Sequence, residues 1–234
     1  MILANTRHAG NIGAAARVMK NFGLARLTLV NPTARAHLEA VKMAPGSEEV
    51  IERAQVLSTL EEALEPLSFS YAATRRPRRL KKPSLGLMEA ARDAHLKEGD
   101  IGLVFGSEKF GLSNEDAGMC DAFITIPSDP GYPSLNLAQS VAVTLYEFLR
   151  DEPHGAPRPE KKGERLYPTL GEKEGFHKRL AAMLEMTGFA NPGAVDGSSR
   201  KIMDIIRRGE PDSQELKTLE GMLRKIRLAV TGRG

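Results

Sequence analysis

Apolar positions along the chain alternate between two spacings. Compact apolar runs fall at 1–4, 26–30, 69–73, 101–105 and 123–126, each short enough for a strand. Between them apolar residues return every three or four positions, as amphipathic helices require. Residues 101–105, Ile-Gly-Leu-Val-Phe, are apolar throughout, which suits a central parallel strand covered on both faces. Over 12–22, Ile12, Ala15, Met19 and Phe22 share one helical face, and Gly23 follows as a stop. Residues 36–64 read as helical, with Ser58 and Glu61 as a capping box inside them. Residues 84–97 read as a helix ended by Gly99. Ser113 and Asp116 form a capping box for a short helix, near whose end Cys120 reads as a small buried hydrophobe. Leu135, Ala138, Val141, Ala142, Leu145, Phe148 and Leu149 give 134–150 a clear 3.6-residue stripe. This alternation predicts an α/β fold with a mainly parallel sheet and helices on both faces.

The pattern changes after residue 151. Residues 151–169 carry four prolines and two glycines, the composition of a linker. Helical periodicity then returns at 171–186, 199–208 and 212–230, the last opened by an Asp212/Glu215 capping box. The predicted organisation is a catalytic domain over 1–151, a linker over 152–169, and a small all-α domain over 170–234. Lys178, Arg179, Arg200, Lys201, Arg207, Arg208, Arg224, Lys225 and Arg227 make that last domain basic and suited to RNA.

Charge is nearly balanced, at 33 Lys+Arg against 30 Asp+Glu, so a nucleic-acid partner must be argued from local clusters. One cluster stands out. Residues 75–82, RRPRRLKK, hold six cations in eight positions, just past a predicted strand end. Arg75, Arg76, Arg78, Arg79, Lys81 and Lys82 repel one another unless an anion answers them, and they are assigned to RNA. The single cysteine excludes a disulfide framework within one chain and suits a reducing compartment. No apolar run approaches the ~20 residues of a membrane span, and no signal-peptide pattern opens the chain. A cytoplasmic protein with no membrane partner is expected. The five histidines show no metal-ligand spacing, so no metal is expected.

The candidate chemistry converges on residues 126–147, IPSDPGYPSLNLAQSVAVTLYE. Pro127, Pro130 and Pro133 stiffen a loop that enters the helix at 134–150, and a helix mouth offers free N–H groups and partial positive charge. Ser134 is the natural N-cap there. Asn136 is a poor interior helix residue, and its place in the first turn permits a ligand contact. In the first helix Asn11 is the natural N-cap. Arg17, off the apolar stripe, leans back toward the helix mouth, where a guanidinium can seat an RNA phosphate. Glu108 follows the strand at 101–105, where a carboxylate can work. The dinucleotide, Walker A and nucleophile-elbow signatures are all absent.

GNIGAAARVMKNFG, LVFGSEKFGLS and IPSDPGYPSLNLAQSVAVTLYE resemble, in order and spacing, the three signature motifs of the SpoU branch of the SPOUT RNA methyltransferases. The helical C-terminal region points more narrowly to the TrmJ-like tRNA ribose methyltransferases. Ala9 stands where a proline is common in the first motif, and the first strand is short. The resemblance implies a deep trefoil knot, a homodimer with the active site shared across its interface, and S-adenosylmethionine as methyl donor. Three loops would hold it: Ala73, Thr74 and Arg75; Phe105 and Gly106; and Ile126, Pro133, Ser134 and Leu135. The implied substrate is the ribose 2′-oxygen of a pyrimidine at position 32 of the tRNA anticodon loop. The implied catalytic set is Arg17, Asn11, Glu108, Ser134 and Asn136. A guanidinium does not give up its proton at neutral pH. Arg17 is therefore expected to grip the adjacent phosphate and ease ionisation of the 2′-hydroxyl, with Ser134, Asn136 or a water relaying the proton. Asn11 is expected to orient Arg17 or the ribose, and Glu108 to fix its loop or touch substrate. An rRNA or another tRNA position is the alternative, as is an RNA-binding protein of this fold without activity.

Overall fold

The computed structural model describes residues 1–33, 39–75, 82–150 and 166–232. Arg76, Arg78, Arg79, Lys81 and most of the expected linker lie outside them.

Seven strands are described: β1 Ile2–Ala4, β2 Thr28–Val30, β3 Gln55–Leu57, β4 Phe69–Ala73, β5 Ser84–Gly86, β6 Ile101–Phe105 and β7 Ala122–Thr125. They form one sheet in the order β3-β2-β1-β6-β4-β7-β5, and every pairing is parallel. The flanking helices are α1 Ala9–Asn21, α2 Glu48–Glu52, α3 Leu60–Leu64, α4 Leu87–Leu96, α5 Asn114–Met119 and α6 Leu137–Leu149. Helices α1 and α4 both pack on α6, and α3 packs on α5. Leu3, Ile12, Met19, Tyr71, Phe105, Ile124, Val141 and Leu145 meet in one apolar core between sheet and helices. Each such side chain contributes about 1.5–3 kcal/mol by leaving water.

Tertiary pairing overrode local periodicity in two places. Residues 36–64, read as one helical stretch, contain instead a 3₁₀ turn Val41–Met43, α2, the edge strand β3 and α3. Three residues of strand are too few to show an alternation, and β3 exists because it pairs with β2. The cap inside this stretch is also one residue later than expected. Thr59 Oγ1 accepts from Glu62 N at 3.3 Å, and Glu62 Oε2 accepts from Ser58 N at 3.3 Å. In the same way β5 takes the first three residues of the expected helix at 84–97, because Ser84 to Gly86 pair with Phe123 to Thr125. The 3₁₀ turn leans on α1. A Cβ at Gly13 would stand 2.5 Å from the carbonyl oxygen of Met43, so that position admits only glycine without a shift.

β7, late in sequence, is inserted between β4 and β5. Ala72 and Ser84 both pair with Phe123. Thr74 N donates to Ile124 O at 2.9 Å, and Phe123 N donates to Pro83 O at 2.8 Å. Residues 74–83 thus join the two neighbours of a strand that lies between them. This strand order is compatible with the knotted fold that the resemblance implies.

The chain divides into two compact units, Met1–Glu160 and Lys161–Gly234. The second contains α7 Leu170–Met186, α8 Val195–Arg208 and α9 Ser213–Thr231, with a 3₁₀ turn Pro192–Ala194. Its core is Phe176, Leu180, Met183, Leu184, Met203, Leu216 and Leu223. Capping boxes at Thr169/Glu172 and Asp212/Glu215 open α7 and α9. Helix α8 begins four residues before the expected start. Among the described residues no helix is long and apolar enough to cross a membrane.

Candidate active site

Parallel strands deliver their C-terminal ends to one edge of the sheet, where α/β proteins place their sites. At that edge Ala73, Thr74 and Arg75 leave β4, Phe105 and Gly106 leave β6, and Ile126 leaves β7. All six line a single pocket with Pro133, Ser134 and Leu135 from the loop before α6. The nine residues assigned to the methyl donor from the sequence are therefore brought together. Ser107, Lys109, Phe110, Leu112, Leu137 and Ser140 also line the pocket and were not singled out. The glycines at 106 and 111 were the available signal for the turn that carries four of these residues.

That turn is tightly folded. Gly111 N donates to Ser107 O at 2.8 Å, and Phe110 N donates to Ser107 Oγ at 3.4 Å. Gly111 sits at φ +67°, in the left-handed region. A Cβ at Gly106 would lie 2.1 Å from Gly111 C and Leu112 N, so the turn rests directly on bare backbone. Opposite it, the proline-rich loop is closed by Gly131 N donating to Asp129 Oδ1 at 2.7 Å and by Ser128 Oγ donating to Pro133 O at 3.2 Å.

A polar relay ties the turn to both helices. Glu108 Oε1 accepts from Asn11 Nδ2 at 3.0 Å and from His8 N at 3.1 Å, and its Oε2 accepts from Arg7 N at 3.3 Å. Burial pushes the Glu108 carboxyl up. The bonds from Asn11, from its own backbone and from His8 and Arg7 outweigh that and hold it below the usual carboxylate range. Asn11 Oδ1 then accepts from Asn136 Nδ2 at 2.9 Å. Asn136 Oδ1 accepts from Ala138 N at 2.8 Å and from Gln139 N at 3.4 Å, while Gln139 Oε1 accepts from Asn136 N at 3.2 Å.

Two expected caps are thereby corrected. Asn136, not Ser134, caps α6, through a full capping box with Gln139. That releases Ser134 to line the pocket. His8, not Asn11, is the N-cap position of α1, because Asn11 N and Ile12 N already donate to His8 O at 3.0 and 3.3 Å. The Asn11 side chain is spent on Glu108 and Asn136 rather than on Arg17. Residues six apart on a helix point about 120° apart, which keeps Arg17 off that side. Arg17 is exposed on α1 and does not line the pocket.

Of the RNA-assigned cations in the described residues, Arg75 lies at the pocket and Lys82 lies elsewhere. Lys82 Nζ donates to the carbonyl oxygens of Gly118 and Cys120, so it caps the C-terminal end of α5. Cys120 is buried, and burial pushes its thiol up to about 12. Among the described residues no three His, Cys, Asp or Glu side chains gather as a metal site would need.

A parallel sheet whose strand ends hold one pocket, with the Glu108–Asn11–Asn136 relay at its edge, is an α/β fold with its ligand site at the strand ends. Residues 1–146 match the SpoU rRNA Methylase family, and the chain belongs to it. Among curated relatives, it is 37% identical to the tRNA (cytidine/uridine-2′-O-)-methyltransferase TrmJ of Klebsiella pneumoniae, over 97% of this chain and 95% of that protein. Among solved structures, TrmJ from Z. mobilis ZM4 is similar with a TM-score of 0.77 at 32% identity, covering 97% of both chains. A probable methyltransferase from Bordetella pertussis is 39% identical with a TM-score of 0.57, over 63% of this chain and 91% of that one.

Proposed function

We propose that this protein transfers a methyl group from S-adenosylmethionine to the ribose 2′-hydroxyl of a pyrimidine at position 32 of the tRNA anticodon loop. The observation that carries the reading is the convergence of three strand-end loops on one pocket, with the Glu108–Asn11–Asn136 relay beside it. The names of the relatives matched along almost the whole chain support the tRNA ribose as substrate. A ribosomal RNA ribose is the second reading, favoured by the description of the matched family.

The pocket suits the donor. Phe105, Ile126, Leu112, Leu135 and Leu137 supply apolar walls for a purine, and Thr74, Ser134 and Ser140 supply hydroxyls. At Gly106 a side chain is excluded, so the backbone itself is presented. The donor supplies an electrophilic methyl on a sulfonium. The protein must align the ribose oxygen with it and remove one proton. Alignment contributes several kcal/mol, and positioned proton transfer about 10²–10⁴-fold. Asn136 is committed to capping α6 and to Asn11, so its role is to position the loop. Ser134, which lines the pocket, is the side chain placed to accept the 2′-hydroxyl proton while passing its own to solvent water. Glu108, held ionised by four donors, fixes the turn.

Arg17 grips the phosphate next to the target ribose and so favours the developing alkoxide. Its absence from the lining of the pocket in its own chain is accounted for by a homodimer in which a second copy delivers it. Val143 and Tyr146, exposed on α6, are apolar surface for such a contact. The β4-β7-β5 insertion is built into a trefoil knot by the chain following β7. The sole cysteine, reduced and buried, suits the cytoplasm. The second unit binds the tRNA body, as do Arg75, Arg76, Arg78, Arg79 and Lys81; Lys82, bonded to the end of α5, does not. Methyl transfer from labelled S-adenosylmethionine to unmodified tRNA tests the proposal. Label in the ribose at position 32 is expected, and no label in tRNA where unmodified rRNA offered in parallel is labelled overturns the tRNA assignment.

A further inference from the structure

We propose that Phe110 is a stacking platform for an unstacked nucleobase of the RNA substrate. The inference rests on the methyltransferase reading above and deepens it. Phe110 is 72% exposed, although a phenyl ring gains about 1.5–3 kcal/mol by burial. The ring stands at the tip of a turn that lines the donor pocket. That turn is not a loose loop. Ser107 closes it with hydrogen bonds to Gly111 N and Phe110 N, Gly106 braces it from beneath, and buried Leu112 anchors its far side. Glu108, two residues before the ring, bolts the turn to the start of α1 through Arg7 N, His8 N and Asn11. A rigid aromatic at a pocket mouth loses little entropy when a ligand lands on it.

The charge around the ring selects the occupant. Lys109 Nζ lies 5.1 Å from the Phe110 centroid. Arg75 lines the same pocket. A ring with an ammonium over one face and a second cation at the same pocket is a combination that binds single-stranded nucleic acid, with the base on the ring's other face and phosphates on the cations. The Glu108 carboxylate of the turn is bonded to Asn11 of α1 and to His8 at its N-cap. The anticodon loop of the proposed substrate is single-stranded, and its unstacked bases can be splayed onto an aromatic ring. Phe110 offers such a base a surface. The contact has no hydrogen-bond code and so tolerates either pyrimidine.

The chain contains no tryptophan, which makes the test direct. In Phe110→Trp the new indole is a single fluorescent reporter that a stacked base quenches. Titration of the full-length variant with unmodified tRNA should quench it, and S-adenosylmethionine alone should not. Phe110→Ala should weaken tRNA binding by roughly five- to 150-fold, the loss of one base–aromatic stack. Phe110→Tyr should restore most of it, sedimentation should not change, and Phe110→Ala should lower donor affinity less than tRNA affinity, since Phe110 also lines the donor pocket. Quenching by S-adenosylmethionine alone would show instead that the ring holds the donor's adenine. A shift of Phe110→Ala toward monomer would show that a second copy covers it. Either result overturns the proposal, as does tRNA affinity in Phe110→Ala equal to wild type. If wild type itself neither binds nor methylates tRNA, the substrate reading fails and the stacking role fails with it. If wild type does both and Phe110→Ala matches it, only the stacking role fails.

Discussion

The relay from Glu108 through Asn11 to Asn136 carries a quantitative consequence for Asn136. Its side chain does two jobs with separate atoms. Oδ1 caps α6 at Ala138 N and Gln139 N, and Nδ2 reaches Asn11 Oδ1 at 2.9 Å. Removing an N-cap side chain costs about 0.5–2 kcal/mol, and a lost side-chain hydrogen bond about 0.5–1.5 kcal/mol. Asn136→Ala should therefore lose about 1–3.5 kcal/mol. Asn136→Ser keeps a capping oxygen and loses the reach to Asn11, so it should recover the cap share alone. A double-mutant cycle of Asn11→Ala with Asn136→Ala isolates the link and should show a coupling of about 0.5–1.5 kcal/mol. Urea unfolding measures each term, and methyl transfer under saturating donor measures its effect on rate. Asn136→Ser should fold nearly as well as wild type yet transfer more slowly, because the loop before α6 is no longer tied to α1. A coupling within about 0.3 kcal/mol of zero would mean that the two side chains act independently, and the relay would be refuted.

Other consequences follow from single atoms. Gly106→Ala places a Cβ against the backbone of Gly111 and Leu112, so the turn must move. About 1–3 kcal/mol of stability and, from a shift near 1 Å, about 100-fold in transfer rate should be lost; wild-type turnover would contradict the close approach. Glu108→Gln should destabilise at neutral pH by about 1–2 kcal/mol, the difference between a charged and a neutral acceptor. The folded carboxyl is depressed, so its contribution is complete above the unfolded value of about 4.3 and fades as pH falls through the lower folded value. Wild type and variant stabilities measured by denaturant should converge in acid, and a gap unchanged below pH 4 would show that charge is not the cause. Cys120, buried with its thiol pushed up to about 12, should resist iodoacetamide at pH 8 until urea unfolds the chain, and rapid labelling of native protein would place it at the surface.

The legibility of this chain in its sequence varied with the length of each signal. β4 and β6, five residues each and mostly apolar, stand where the pattern placed them, and the Ser113/Asp116 and Asp212/Glu215 boxes cap the helices they were assigned. Strands β3 and β5 were invisible because three residues carry no period and their existence depends on β2 and β7, far away in sequence. The misplaced caps of α1 and α6 share one cause. Ser134, Asn136 and Asn11 are all good capping types, and only the three-dimensional neighbours decide among them. The nine pocket residues came from motif resemblance rather than from periodicity. No spacing rule foretells that loops after β4, β6 and β7 meet, since the insertion of β7 between β4 and β5 is a property of the whole chain. Lys82 looked like its neighbours in a basic run until its carbonyl partners were seen.

The most direct measurement is single-turnover methyl transfer from labelled S-adenosylmethionine to unmodified tRNA, comparing wild type with Arg17→Ala and Arg17→Lys and mapping the modified nucleotide. Label in the ribose at position 32 is expected from wild type. Transfer should be lost in Arg17→Ala and reduced in Arg17→Lys, since an ammonium cannot reproduce a guanidinium's paired contact with phosphate. Wild-type protein that binds S-adenosylmethionine and labels no RNA ribose, or an Arg17→Ala variant that labels it at the normal rate, would contradict the assigned reaction or the role of Arg17 in it.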